Sequence, residues 1–387
     1  MFNILTLNKI ASCGLERLDK AKYTITDDAA CNADGIILRS FKMHEMELPS
    51  SLKAVARAGA GTNNIPVDKC AENGIVVFNT PGANANGVKE LVIAGLLLSS
   101  RKVVDGINWA STLTGDDVDK QVEKGKSSFA GSEIKGKTLG VIGLGAIGVL
   151  VANAAIKLGM KVVGYDPFLS VNAAWHLDSH VRKATSLNDI YAESDYITIH
   201  VPLNDDTKHT INKESIDAMK DGVKILNFAR GGLVNNDDIK AAIASGKVSC
   251  YVVDFPSEET VNQPGIIAIP HLGASTEESE DNCAVMAADE LSEYLETGNI
   301  VNSVNMPACS LPVAGNGRIT IIHKNIPNMI SSFTNIISQC GMNIEDMINK
   351  SRGDYAYTIL NTSAEITAEV EEKINAVDGV IRVRVIK

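Results

Sequence analysis

Residues 139–148 read "LGVIGLGAIG", an apolar run that opens into three glycines, Gly143, Gly145 and Gly148. The preceding "TLGVI" has the character of a buried strand and the following "AIGVLVANAAIKLG" that of a helix, so the glycines fall on a strand-to-helix turn. There each glycine has a task. Gly143 allows the tight turn, Gly145 lets the backbone approach a pyrophosphate, and Gly148 lets helix and strand pack closely, with the phosphate at the helix N-terminus. Glycines alone would equally suit tight packing. The next strand-like run, "KVVGYDP", ends in Asp166, at the spacing where a carboxylate accepts hydrogen bonds from both hydroxyls of an adenosine ribose and repels a 2′-phosphate. Together these features predict a dinucleotide cradle, for NAD rather than NADP.

Outward from this turn the alternation of strand and helix continues in both directions. Downstream lie "YITIHVPL", "VKILNFAR", "SCYVVDF" and "IIAIPHLG", the pattern of a doubly wound parallel sheet. Upstream, "FNILTLN", "GIILRS", "AVARAG" and "GIVVFNT" spell a second set of βαβ units over residues 1–98. Residues 84–110 read as one long buried helix, 111–137 as a polar, glycine-punctuated arm, and 273–298 as an amphipathic helix capped by Ser or Thr. Residues 299–316 carry turn residues and two prolines. The runs beyond them follow the order β-α-β-β-α-β of a ferredoxin-like unit.

A chain of 387 residues exceeds what one core normally covers, and 45% hydrophobic with 21% charged residues suits a folded chain. The net charge of -11 argues against a generic nucleic-acid binder, which needs clustered Lys and Arg. No apolar run is long enough to span a membrane, and the N-terminus lacks a secretory pattern, so a cytoplasmic address with no membrane partner is expected. Seven cysteines without a CxxC pair predict scattered reduced thiols and no metal site, with packing the default role of Cys250 and Cys283.

Three stretches at strand ends carry groups suited to oxidising a hydroxyl beside a carboxylate: Arg230 in "NFARGG", Glu258 and Glu259 in "DFPSEE", and His271 in "PHLGAST". An imidazole titrates near neutral pH and gains basicity from a carboxylate partner, which suits His271 as the base. A guanidinium binds a carboxylate in bidentate fashion, which suits Arg230. Singly, each has a structural alternative: a satisfied His, a loop-anchoring Arg, a solvated Glu pair.

With "VIGLGAIG", "HVPLNDDT", "NFARGG" and "PHLGAST" in this order, the chain resembles the D-isomer-specific 2-hydroxyacid dehydrogenase family. Within it the likeness is to members that act on 3-phospho-D-glycerate and carry a C-terminal ACT domain, and "VNMPACSLP" with the terminal β-α-β-β-α-β unit belongs to that likeness. The resemblance implies an α/β fold with two doubly wound domains, Rossmann-like and flavodoxin-like, plus a ferredoxin-like ACT domain. It implies a discontinuous substrate domain at 1–98 and 272–303, an NAD-binding domain at 99–271, a linker at 304–316 and a regulatory or oligomerisation domain at 317–387. The implied reaction is NAD-dependent oxidation of 3-phospho-D-glycerate to 3-phosphohydroxypyruvate, the first step of serine biosynthesis, with hydride leaving C2 as His271 takes the hydroxyl proton. The alternatives are another D-2-hydroxyacid dehydrogenase, acting on glyoxylate, hydroxypyruvate or D-lactate, and a non-catalytic NAD-sensing protein.

By the same resemblance, NAD is contacted by Gly143, Leu144, Gly145, Ala146, Ile147 and Gly148 in the loop, and by Asp166 beyond it. His200, Pro202 and Thr207 follow in "HVPLNDDT", and Ala229, Arg230, Asp254, His271 and Gly273 at later strand ends. Arg39, Ser40 and Arg57 are implied as phosphate ligands and Asn64 as a substrate contact, with Gly59 and Gly61 near an anion nest and Arg230 and His271 completing the set. Lys124 or Lys126 in the polar arm would add charge from a neighbouring subunit of a homodimer or homotetramer. The family commonly has Asp-Val-Phe-x-x-Glu-Pro where this chain has "DFPSEET". Aligning on the Phe selects Glu258 as the partner of His271, whereas counting from Asp254 selects Glu259, and because the strand end fixes the count Glu259 is the expected partner. Paired ACT domains are implied to hold L-serine through His323, Asn343 and Ile344, although "HKNIPNM" departs from the usual Pro-Gly turn.

Overall fold

In the computed structural model, which describes residues 1–386, the first five strands form one parallel sheet. These are β1 (Phe2–Leu7), β2 (Tyr23–Thr26), β3 (Gly35–Leu38), β4 (Ala54–Arg57) and β5 (Val76–Asn79), in the order β2-β1-β3-β4-β5. All four residues of β3 are buried, as expected of a strand covered on both faces.

Seven strands make the second sheet: β6 (Thr138–Ile142), β7 (Lys161–Tyr165), β8 (Arg182–Lys183), β9 (Tyr196–Ile199), β10 (Val223–Asn227), β11 (Val248–Val253) and β12 (Ile266–Ala268). Their order is β12-β11-β10-β9-β6-β7-β8, all parallel, and it reverses direction at β6, where the glycine turn sits. Strand order of this kind opens a crevice at the carboxyl ends of the strands, beside the switch point.

The third sheet is antiparallel: β13 (Gly317–Lys324), β14 (Ile344–Arg352), β15 (Tyr355–Thr362) and β16 (Val380–Val385), in the order β14-β15-β13-β16. Helices Met329–Gln339 and Ala368–Asn375 cover one face through Ile319, Ile321, Phe333, Ile337, Leu360, Val370 and Ile374. Ile322, Tyr357 and Ile359 point the other way, into a core shared with Ile4, Phe78, Leu291 and Tyr294.

The chain separates into two compact units, Met1–Asn84 together with the chain from Glu280 onward, and Ala85–Ser279. The boundaries thus fall at 84/85 and 279/280 rather than at the expected 98/99 and 271/272. Helix Ala85–Ser100 packs on Val141, Leu226 and Phe228 through Val88, Val92 and Leu96, and so belongs with the second sheet. Nor is 84–110 one helix. Ser99 and Ser100 turn their hydroxyls back onto Leu96 O (2.8 and 2.9 Å), Lys102 takes φ 35°, and a new helix runs Val103–Ala110. The polar arm contains helix Val118–Gly125.

The expected linker 304–316 is anchored as well. Asn305 accepts from Val77 N in β5 (2.9 Å) and donates to Ile75 O just before that strand (2.8 Å), and Cys309 exchanges backbone hydrogen bonds with Ile300. The helix Glu277–Thr297 ends against the third sheet, which supplies donors for carbonyls that a helix terminus leaves unpaired. Arg384 donates to Tyr294 O and Leu295 O (3.1 and 2.7 Å), the fully buried Arg318 to Thr297 O (2.6 Å), and Tyr357 Oη to Gly298 O (2.6 Å). Among the described residues no helix is long and apolar enough to cross a membrane, and no cluster of His, Cys, Asp and Glu is placed to hold a metal ion.

Candidate active site

The glycine turn is built as its spacing demands. Gly143 has φ 89°, and a Cβ there would lie 2.6 Å from His200 O, while one on Gly148 would lie 1.9 Å from Gly143 O. Gly145, at the N-terminus of helix Ala146–Lys157, faces open space: a Cβ would meet nothing within 4 Å. Two glycines therefore serve the fold, and the third leaves room for a ligand. Asp166 accepts from Leu144 N (Oδ2, 2.8 Å) and Phe168 N (Oδ1, 2.8 Å), which fixes its carboxylate at the rim of the turn.

His200, at the end of β9, shares a hydrogen bond with Thr198 Oγ1 through Nε2 (2.9 Å), and its buried Nδ1 lacks a partner among the described residues. Burial pushes its pKa down to about 3, so the ring is neutral. Thr207 donates to Pro202 O (2.5 Å) and closes the loop after β9.

At the end of β10, the fully buried Asn227 pins the turn that carries Arg230. It donates to Arg230 O (2.8 Å) and accepts from Ala229 N and Arg230 N (3.2 and 3.3 Å). Sequence reasoning missed this residue, and an Asn closing a strand before a turn was the available signal. Arg230 Nη1 rests on Ala229 O (2.7 Å).

Asp254 ties the end of β11 to the His271 segment by accepting from Leu272 N and Gly273 N, both at 2.8 Å. Burial pushes this carboxyl up, against the pull of those two N–H groups and of nearby His271. His271 takes φ 54° and lies against Phe255, with ring centroids 4.5 Å apart. The expected glutamate partner is placed elsewhere. A turn closed by Ser257 N and Thr260 Oγ1 (2.8 Å) carries Glu259 to Asn236 Nδ2 (2.6 Å), and among the described residues no hydrogen bond joins His271 to Glu258 or Glu259.

The expected anion ligands come together in the other unit, at the carboxyl ends of β3 and β4. The carbonyl of Arg39 accepts from Arg57 Nε (3.0 Å) and Asn64 Nδ2 (3.3 Å), and Asn64 also donates to Phe41 O (2.8 Å). The Oδ1 of Asn64 is buried without a hydrogen bond. Asn8 accepts from Ser40 N and Phe41 N (3.1 and 2.6 Å) and so fixes the turn that bears Arg39 and Ser40. Gly59 crowds Arg57, since a Cβ there would lie 2.6 Å from Nη1. Glu280 pairs with Arg39 Nη1 at 2.7 Å, an acid that sequence reasoning did not connect with this site. Cys283 is buried nearby, its thiol pushed up by burial and pulled back by Thr80, Arg57 and Arg39. Cys250 is buried in the core of the second sheet. Lys126 is exposed and pairs with Glu123 (2.5 Å).

The three residues expected to hold serine are not brought together in one chain. His323 is level with Ala356 and Ser351, whereas Ile344 is level with Thr362 and Gly317, at the opposite end of the sheet. Six residues of strand separate the two levels, about 20 Å. His323 is buried, with Nε2 against Thr358 Oγ1 (3.0 Å) and Asn349 Oδ1 (3.3 Å) and Nδ1 against Lys324 O (2.8 Å).

Comparison with known proteins matches residues 100–273 to the D-isomer specific 2-hydroxyacid dehydrogenase NAD binding domain. The hydroxypyruvate reductase of Thermotoga maritima is 38% identical over 259 residues, which are 65% of this chain and 80% of that protein. The chain belongs to the D-isomer specific 2-hydroxyacid dehydrogenase family. A second relative, the D-3-phosphoglycerate dehydrogenase of Bacillus subtilis, is 31% identical over 80% of this chain, which spans 60% of that protein's length. The crystal structure of NAD+-bound 3-phosphoglycerate dehydrogenase from Entamoeba histolytica superposes with a TM-score of 0.61 at 28% identity, covering 79% of this chain and 98% of that one. The family's cofactor fits the residues present: an open face at Gly145, a fixed carboxylate at Asp166 and an orphan nitrogen at His200 all border the turn that NAD requires.

Proposed function

We propose that the chain is an NAD-linked dehydrogenase that oxidises the C2 hydroxyl of 3-phospho-D-glycerate to 3-phosphohydroxypyruvate. The observation that carries the substrate is the grouping of Arg39, Ser40, Arg57 and Asn64 beyond the ends of β3 and β4, where Arg57 and Asn64 both donate to the carbonyl of Arg39 and Asn8 holds the turn that bears Arg39 and Ser40. A phosphate takes up such charge-assisted donors, whereas D-glycerate or D-lactate, with its one carboxylate on Arg230, has no second anion for them. Arg230 binds the substrate carboxylate and His271 accepts the hydroxyl proton, its segment fixed by Asp254. When bound, NAD supplies the hydride acceptor.

One observation favours a second reading, the reduction of hydroxypyruvate or glyoxylate. Arg39 is paired with Glu280, which lowers the charge free for a phosphate. Arg39→Ala and Arg57→Ala separate the two. The phosphoglycerate reading predicts a raised KM for the phosphorylated substrate in both, with KM for D-glycerate unmoved; equal effects on both substrates would overturn it. The third sheet is part of the proposal as an ACT domain: His323 of one copy and Asn343 and Ile344 of another would border serine only where two copies pair, in a homodimer or homotetramer. Calorimetric titration of serine into the full chain tests this, and no heat at millimolar serine rejects it.

A further inference from the structure

The end of β11 places an aromatic ring directly after Asp254, and this ring touches both groups assigned to the chemistry. Phe255 lies 4.5 Å from His271, centroid to centroid, at an interplanar angle of 44°, and the guanidinium carbon of Arg230 lies 5.5 Å from the same ring centroid. Among the described residues no carboxylate makes a hydrogen bond to the His271 imidazole, Glu258 included. Glu259 is held by Asn236, and both oxygens of Asp254 accept backbone N–H groups. We propose that Phe255 is a positioning residue for the reaction, its ring face stabilising the imidazolium that His271 becomes when it takes the substrate proton.

The physical basis is the negative face of the aromatic quadrupole, which attracts a cation within about 6 Å of its centroid. Asp254 is near enough to His271 for the two charges to attract, and the Arg230 guanidinium lies over the same ring. The contact follows from local structure. Asp254 locks Leu272 and Gly273 by their N–H groups, so the residue after Asp254 and the residue before Leu272 are held side by side.

The proposal rests on His271 as the acid/base, and the test separates the two. In the full chain, Phe255 is replaced by mono-, di- and pentafluorophenylalanine, which weaken the ring face with little change of shape, and by Leu and Tyr. The His271 pKa is read by NMR without substrate, its resonance assigned by absence in His271→Gln, and again from the acid limb of kcat/KM. The expected result is a stepwise fall with fluorination, reaching about 0.5–1 unit for the pentafluoro ring and for Phe255→Leu, with Phe255→Tyr close to the parent. A pKa that stays constant along the fluorinated series, or that Leu and Tyr move equally, overturns the proposal. Turnover that persists while the pKa stays fixed removes Phe255 and leaves the dehydrogenase reading; a stepwise pKa shift in a chain without turnover does the reverse.

Discussion

Replacing Gly145 by alanine separates the ligand-binding role of the glycine turn from its folding role. At Gly145 the backbone has φ -75° and ψ -160°, open to alanine, and the added methyl meets no protein atom within 4 Å. Stability should therefore hold or rise by about 0.4–1 kcal/mol, as for glycine-to-alanine changes at compatible sites. The same methyl occupies the space through which a pyrophosphate reaches the helix N-terminus. Loss of one charge-assisted hydrogen bond, about 1.5–3 kcal/mol, weakens NADH binding about 10–100-fold. Gly148→Ala is the control, because its methyl would lie 1.9 Å from Gly143 O and must push the helix away. Overpacking of that kind destabilises by about 1–3 kcal/mol or more, so it should lower both stability and affinity. Thermal unfolding without cofactor and fluorescence titration with NADH read the two effects. The reasoning fails if Gly145→Ala binds NADH like the parent, or unfolds as early as Gly148→Ala.

His271→Ala should lower kcat by about 10²–10⁴-fold with NADH binding retained, and near-parental turnover would remove it from the chemistry. Asp166→Ala should weaken NADH and narrow the preference over NADPH, checked by paired titrations; an unchanged preference refutes the ribose role. His200 is half-buried with its Nδ1 enclosed, and its pKa is pushed down to about 3, so unfolding releases a group that binds a proton below about pH 6.5. That contribution to stability is complete above pH 6.5 and lost progressively as pH falls toward 3, and His200→Gln should flatten this part of the urea-stability profile.

The glycine turn, Asp166 and the strand succession were legible because each depends on a local pattern: a β-branched run, fixed spacings, a helix that follows. Arg39 and Arg57 were legible because both lie at strand ends, which parallel topology gathers on one edge, whereas Asn64, in the loop after β4, was legible only through the family resemblance. What escaped depends on contacts between distant segments or on strand register. Glu280 reaches Arg39 across 241 residues of chain, and nothing local in "STEESED" marks one acid from its neighbours. His323 and Asn343, implied to meet serine only where two domains pair, lie at opposite ends of the sheet within one chain because β14 runs parallel to β13 with β15 between them. Glu259 was counted along an extended strand, and the turn at Ser257–Thr260 redirects it. The helix break after Ser100 was hidden because apolar positions resume at helical spacing beyond it, in Val103, Val104 and Ile107. Arg318 and Arg384 were overlooked because a charged residue in a strand reads as solvent-facing until a helix terminus is found against it.

The central claim is tested most directly by NADH formation with 3-phospho-D-glycerate, D-glycerate and D-lactate in parallel, at matched NAD and subsaturating substrate. With two guanidiniums serving the phosphate, kcat/KM for 3-phospho-D-glycerate should exceed that for D-glycerate by about 100-fold or more. Equal or faster turnover of D-glycerate or D-lactate would contradict the phosphate site, and no NADH from any of the three would contradict the dehydrogenase itself.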